Sequence, residues 1–131
     1  MLRFKNMIRI WAILFAVSIS IVSQANAQTA EEMKSNCETI STATELPDGQ
    51  VAFEQTFASG VCWGSFGTLQ ILSAYVDSER TPILQFCAPP TSTLIQFVQI
   101  FSDYADNHPE DHNKDWNIVA QKALLQAFPC P

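Results

Sequence analysis

Residues 93–105, TLIQFVQIFSDYA, carry the clearest structural pattern of the chain. Thr93 and Gln96 have the T-x-x-Q spacing of a capping box, in which each side chain bonds the backbone N–H of the other residue at the start of a helix. The apolar residues that follow recur at helical spacing, and they are Leu94, Phe97, Val98, Phe101, Tyr104 and Ala105. The stretch therefore predicts a helix with one side buried in a core.

A capping box also predicts a helix at residues 29–40. Thr29 and Glu32 have the T-x-x-E spacing of this motif. The apolar residues on the same helical face are Met33, Cys37 and Ile40. The turn sequence Pro47-Asp48-Gly49 ends this region.

The stretch from about Phe57 to Val76 predicts a second helix, with an apolar side formed by Phe66, Leu69, Leu72 and Val76. It also contains three glycines, Gly60, Gly64 and Gly67. Each glycine lowers helix propensity by about 1 kcal/mol relative to Ala. We interpret them as a packing notch for another backbone, or as a sign that the helix starts late. A strand is the alternative, because short apolar runs are ambiguous.

The rest of the chain alternates polar connections with helices. A charged loop spans residues 77–81, and extended backbone is favoured by the prolines that follow, Pro82, Pro89 and Pro90. After the third helix, Asn107-His108-Pro109-Glu110 interrupts the pattern and starts a fourth. The apolar positions of that helix are Trp116, Val119, Ala120, Ala123, Leu124 and Ala127. The sequence thus predicts an all-α fold, a small bundle of about four helices.

The first 27 residues have the three parts of a secretory signal. Arg3, Lys5 and Arg9 form a positive segment, residues 10–22 are apolar, and Ala25-Asn26-Ala27 is an A-x-A cleavage site. The apolar run is shorter than the roughly 20 residues that span a bilayer. We therefore expect cleavage after Ala27, export to the periplasm and no membrane anchor in the mature protein.

The domain left after cleavage, residues 28–131, is strongly acidic. Three of the seven Lys and Arg residues lie in the signal, whereas all thirteen Asp and Glu residues lie in the mature domain. The mature domain therefore has four positive and thirteen negative charges, a net charge of −9. This balance argues against nucleic-acid binding, which depends on Lys and Arg at phosphates. It is compatible with a basic protein partner and equally with a charge that only keeps the protein soluble.

All four cysteines lie in the mature domain, and an even number in an exported chain predicts disulfides. None of them forms a C-x-x-C pair, which argues against a zinc knuckle or a redox motif. If the helices alternate in direction, Cys87 and Cys130 fall at the same end of the bundle. We therefore prefer the pairs Cys87–Cys130 and Cys37–Cys62, although four cysteines permit three pairings and the sequence does not decide between them.

No catalytic or metal-binding pattern stands out. Cys62-Trp63 matches part of a cysteine-protease signature, but that fold is larger and places its His roughly 130 residues downstream. His108 and His112 lie four residues apart without a third ligand at a defined spacing, so a solvated loop and helix start is favoured over a metal site. We therefore predict no enzyme activity, no metal and no cofactor.

Several short motifs occur in a characteristic order between residues 62 and 130. They are Cys62-Trp63-Gly64, Cys87-Ala88-Pro89, Thr93-x-x-Gln96, His108-Pro109-Glu110, Ala123-Leu124 and Ala127-Phe128-Pro129-Cys130. Their order and spacing resemble those of the Rap1a/Tai immunity proteins. The chain departs from that family at Ser65-Phe66, where the family usually has Tyr-Ile after the glycine.

The resemblance implies a small all-helical periplasmic protein, often a homodimer. Its partner would be a peptidoglycan-cleaving amidase that a neighbouring cell delivers through a type VI secretion system. The protein would inhibit this amidase by plugging its substrate cleft, and would itself catalyse nothing.

We expect the partner to bind the polar connection after the third helix, at Asn107, His108, Glu110, Asp111 and His112. This connection carries a rigidifying proline and projects from the best-signalled helix. The loop at residues 78–81 is the second choice, and Trp63 with Phe66 is a further candidate for a dimer or partner surface. The connection at residues 107–112 and the loop at residues 78–81 are equally compatible with ordinary connections, since loops are polar by default.

Two other functions stay open at this point. The first is a housekeeping periplasmic protein, either an acid-stress chaperone or a subunit that modulates an envelope enzyme. The second is a cysteine hydrolase that acts through Cys62.

Overall fold

Four helices make up most of the domain in the computed structural model, which describes residues 27–131. They are α1 (Ala30–Ser41), α2 (Phe57–Ser73), α3 (Leu94–Asn107) and α4 (Trp116–Ala127). An antiparallel hairpin of β1 (Thr44–Glu45) and β2 (Val51–Ala52) lies between α1 and α2, and a 3-10 turn spans Pro109–Asp111. The predicted all-α bundle is confirmed, with the small hairpin as an addition. Within residues 27–131, no helix is both long and apolar enough to cross a membrane.

The two capping boxes predicted from the sequence are present. At α3, the Thr93 N–H donates to Gln96 Oε1 at 3.0 Å, and the Gln96 N–H donates to Thr93 Oγ1 at 3.3 Å. At α1, Thr29 and Glu32 make the same reciprocal bonds at 2.9 and 3.2 Å. Each box satisfies two backbone donors that a helix start would otherwise leave without a partner.

The second helix begins at the predicted residue and ends three residues early, at Ser73. It has a capping box that the sequence analysis missed, in which the Thr56 N–H donates to Ser59 Oγ at 2.8 Å and the Ser59 N–H donates to Thr56 Oγ1 at 3.1 Å. Beyond the helix, Val76 pairs with Pro82 in an isolated antiparallel bridge. The strand alternative for this stretch is therefore wrong.

A core of mostly apolar side chains fills the space between the helices. Its centre is aromatic, since the rings of Phe66 and Phe101 lie 5.3 Å apart and those of Phe86 and Phe97 lie 5.9 Å apart. The predicted apolar positions that are buried are Met33, Cys37, Ile40, Phe66, Leu94, Phe97, Val98, Phe101, Ala105, Val119, Ala120, Ala123 and Leu124. The helical periodicity thus identified the core-facing sides of α1, α3 and α4.

Two disulfides join elements that are far apart in sequence. Cys37 in α1 bonds to Cys62 in α2, with Cα atoms 5.2 Å apart. Cys87 bonds to Cys130 beyond the end of α4, with Cα atoms 4.9 Å apart. These are the two pairs that alternating helix directions favoured. Closing loops of 25 and 43 residues contributes about 3 to 4 kcal/mol each in the chain-entropy model.

The glycines of α2 do not form a packing notch inside the domain. An added methyl group at Gly60 or Gly64 would meet no atom within 4 Å among residues 27–131. At Gly67 it would lie 3.5 Å from Leu94 Cδ1, which is an ordinary van der Waals contact. The interpretation as a place of close backbone approach is therefore wrong for the single chain, and Gly60 and Gly64 lie on the outer face of α2.

Candidate partner-binding surfaces

Asp111, one of the predicted binding residues, is buried in the connection between α3 and α4, with only 3% of its surface exposed. Its carboxylate pairs with the ammonium groups of Lys114 and Lys122, the second at 3.0 Å. Hydrogen bonds from these two lysines hold the pKa of Asp111 at about 2, below its ordinary 3.8, although burial alone acts in the opposite direction. Asp111 is therefore an internal counter-ion with little surface to offer a partner.

Backbone hydrogen bonds attach the same connection to the start of α1. The Ala30 N–H donates to the Lys114 carbonyl at 2.8 Å, and the Glu31 N–H donates to the His112 carbonyl at 3.1 Å. Both donors belong to the first turn of α1, where no carbonyl within the helix can accept from them. The connection therefore completes the cap of α1 and is part of the scaffold.

The two histidines of the connection bond to α3. The His108 ring stacks on Tyr104 with centroids 3.9 Å apart, and its Nδ1 lies 2.8 Å from the Tyr104 carbonyl oxygen. His112 Nε2 lies 2.9 Å from the Ala105 carbonyl oxygen, and its Nδ1 lies 2.9 Å from Glu31 Oε2. Each ring nitrogen of His112 thus lies within hydrogen-bond distance of an oxygen atom. Among residues 27–131, no three His, Cys, Asp or Glu side chains cluster closely enough to hold a metal ion.

Asn107 and Glu110 are the exposed members of the predicted set, while His108 and His112 are half-buried. The Asn107 side-chain amide donates to the Asp103 carbonyl at 2.7 Å. The structure thus keeps the predicted residues together along one connection. Many of their polar atoms already have partners inside the domain.

The loop at residues 77–81, which we name the Asp77 loop, is ordered by the carboxylate and the backbone of Asp77. Asp77 Oδ1 accepts from the backbone N–H groups of Glu79 and Thr81, both at 2.8 Å. The Arg80 N–H donates to the Asp77 carbonyl at 3.1 Å, and Arg80 has a left-handed φ of 64°. These bonds give the loop a defined shape, while Ser78, Glu79 and Arg80 are exposed.

Apolar side chains surround the base of the Asp77 loop. The exposed fractions are 63% for Ile71, 58% for Tyr75, 54% for Val76 and 47% for Ile83. The sequence pattern placed Val76 on the core side of α2, which is wrong because the helix ends before it. Arg80 is the one Lys or Arg of residues 27–131 without an ion pair. Exposed apolar area beside an unpaired cation is typical of a partner-binding surface.

The outer face of α2 is a second apolar surface. Phe57 is 90% exposed and Trp63 is 37% exposed. Gly60 and Gly64 follow Phe57 at helical spacing and lie on the same face. Phe66, in contrast, is fully buried, so the suggestion that it shares an exposed surface with Trp63 is wrong.

Cys62 has no free thiol. It is fully buried and bonded to Cys37. Because the thiolate is the nucleophile in cysteine chemistry, the hydrolase hypothesis is wrong.

A family model described as Rap1a immunity proteins matches residues 29–130, which is nearly all of the part of the chain that the structure describes. No curated protein and no solved structure shows significant similarity to the chain. The match begins at the capping box of α1 and ends at Cys130, so it includes the four helices and both disulfides. The chain therefore belongs to the family of Rap1a immunity proteins.

Proposed function

We propose that this protein is exported to the periplasm and protects its producer by inhibiting a peptidoglycan-cleaving amidase delivered through type VI secretion. The observation that carries this proposal is the family match over residues 29–130. Inhibition requires a complementary surface and no nucleophile, which agrees with a Cys62 that is held in a disulfide.

Export rests on the signal pattern at the start of the chain. Residues 1–26 lie outside the described residues, so cleavage after Ala27 stays a prediction from sequence. Two points support it: disulfides form in oxidising compartments, and α1 begins at Ala30, so cleavage would leave the helices whole.

In this proposal the Asp77 loop enters the substrate cleft of the amidase. A loop that is already ordered loses less conformational entropy on binding than a flexible one. The apolar side chains at its base supply area to bury, and Arg80 supplies a cation for an acidic group of the partner. Asn107, His108, Glu110 and His112 form a secondary contact, and Asp111 supports them from inside the domain.

We propose further that two copies associate through the outer face of α2. Phe57 offers a large apolar side chain, and Gly60 and Gly64 let a second backbone approach closely. Each glycine lowers helix stability by about 1 kcal/mol relative to Ala, and contacts within residues 27–131 do not compensate for this.

The inhibitory function is tested with the amidase encoded nearest to this gene. We expect the purified protein to form a stable complex with that enzyme and to stop its cleavage of peptidoglycan. Cells that export the amidase should survive only when they also export this protein. No complex and no protection would contradict the proposal.

The dimer is tested by Gly64→Gln. The new side chain enters open space in the monomer and improves helix propensity, so the fold should be kept. Sedimentation equilibrium should show a dimer for the wild type and a monomer for the variant. Asn117→Gln on the exposed side of α4 is the control and should stay dimeric; a wild type that is monomeric at high concentration would contradict the dimer.

A further inference from the structure

A cleft of about 350 Å³ lies between α1 and α3, away from the Asp77 loop. Glu31, Lys34 and Glu38 line it from α1, and Ser102 and Asp106 line it from α3. The cleft is open to solvent at its rim, where Glu31 and Glu38 are exposed. It is therefore accessible to a side chain that arrives from outside.

Three carboxylates face one ammonium group in this cleft. Lys34 pairs with Asp106 across the two helices, and this hydrogen bond raises the pKa of Lys34. Glu31 lies against His112 at 2.9 Å. Glu38 has no ion pair among residues 27–131. The lining thus carries more negative charge than its own cation neutralises.

The Ser102 hydroxyl is a second, independent feature of the cleft. Ser102 is 7% exposed, and its Oγ has no hydrogen-bond partner among the described residues. Buried side-chain oxygens usually have a partner, and one without a partner lowers stability. Ser102 lines the cleft, so a small displacement of its side chain would let a donor in the cleft supply the missing hydrogen bond.

We propose that this cleft binds the guanidinium group of an arginine side chain on the protein partner. A guanidinium group carries five N–H donors and no acceptor, which matches carboxylates and a hydroxyl that can accept. It is also more weakly hydrated than an ammonium group, so it enters a partly enclosed site at lower cost. The inference rests on the proposed function only in taking the partner to be a protein.

The probe for this site is N-acetyl-arginine methylamide. The corresponding citrulline compound, which is neutral, and the corresponding lysine compound serve as comparison probes. We expect the arginine probe to shift the backbone NMR signals of Glu38, Ser102 and Asp106 in the exported protein. The citrulline probe should leave them unchanged, and the lysine probe should bind more weakly. Equal shifts with arginine and citrulline, or with arginine and lysine, would overturn the assignment.

Two variants locate the binding. Glu38→Gln should weaken arginine binding about threefold or more, while Glu45→Gln, on the exposed strand β1, should not change it. Ser102→Ala should weaken binding without lowering the unfolding temperature, because it removes a hydroxyl that has no partner. Arginine binding that survives both Glu38→Gln and Ser102→Ala would overturn the proposal.

The amidase assay separates this inference from the proposed function. A protein that protects cells but does not bind the arginine probe refutes the arginine site and leaves the immunity role standing. A protein that binds the probe at Glu38 and Ser102 but does not protect cells supports the site and contradicts the immunity role.

Discussion

The Asp77 loop and the connection from His108 to Asp115 look similar in sequence, since each is short, polar and close to a proline. They differ in where their polar groups bond. In the connection, Asp111 is buried against two lysines and both histidines bond to α3. In the Asp77 loop, one carboxylate orders the backbone and Arg80 has no ion pair among residues 27–131.

This difference separates a structural connection from a candidate binding loop. A buried charge needs partners, so the polar groups of a connection that contains one form bonds inside the domain. A loop whose shape is set by its backbone and by one carboxylate can leave its other side chains to a partner. We therefore expect substitutions in the connection to change stability and substitutions in the Asp77 loop to change binding.

The largest effect should follow from Asp111→Asn. The amide has a similar shape but leaves the ammonium groups of Lys114 and Lys122 without a counter-charge. We expect the unfolding temperature at pH 7 to fall by on the order of 10 °C, measured by circular dichroism. The neighbouring exposed Glu110→Gln should change it by less than about 2 °C. Equal changes in the unfolding temperature of both variants would show that the charge of Asp111 does not stabilise the fold.

Acid should remove the same contribution in the wild type. The pKa of Asp111 is about 2 in the folded protein and 3.8 ordinarily, so the unfolded chain binds this proton more strongly. The stabilisation is therefore complete above about pH 4 and is lost as the pH falls through 2. The difference in unfolding temperature between wild type and Asp111→Asn should shrink from pH 5 to pH 2. A difference that is constant over this range would contradict the ion-pair explanation.

The binding role of the Asp77 loop is tested by Arg80→Gly, with Gln85→Gly as the matched control. Both residues have a φ of 64°, where glycine is favoured by about 1 kcal/mol, so neither variant should lower the unfolding temperature. Arg80→Gly should weaken amidase binding about tenfold or more, and Gln85→Gly should not. Calorimetric titration measures both, and similar binding by the two variants would remove Arg80 from the interface.

The smallest effect should come from the exposed residues of the connection. The double change Asn107→Ala with Glu110→Gln removes one exposed hydrogen bond and one exposed charge. We expect amidase binding to weaken by less than about threefold and the unfolding temperature to stay the same. A loss of binding as large as that of Arg80→Gly would show that the connection contributes as much to binding as the Asp77 loop, which contradicts the comparison.

The starts of α1 and α3 could be predicted because a capping box is read within four residues. Thr93 with Gln96 and Thr29 with Glu32 have the usual residue types for this motif. The Thr56–Ser59 box was missed because serine replaces the usual Glu or Gln at its last position. The T-x-x-S spacing in front of an apolar stretch was the signal that was available.

The end of α2 could not be predicted, because its apolar periodicity continues past the point where the helix stops. Val76 fits the helical pattern, yet it pairs with Pro82 as the chain turns back. This bridge forms the base of the Asp77 loop and brings Val76 to the surface. The sequence therefore did not reveal this candidate binding surface, because the apolar pattern predicted that Val76 is buried.

The presence of four helices, the buried sides of α1, α3 and α4, the acidic charge and the four cysteines all follow from the chain read along its length. These features depend on residues a few positions apart, so local spacing is enough to predict them. The partners of individual groups depend on packing. Asp111 meets Lys122 across eleven residues, Cys87 meets Cys130 across 43, and Gly60 stays open because nothing within residues 27–131 covers the outer face of α2.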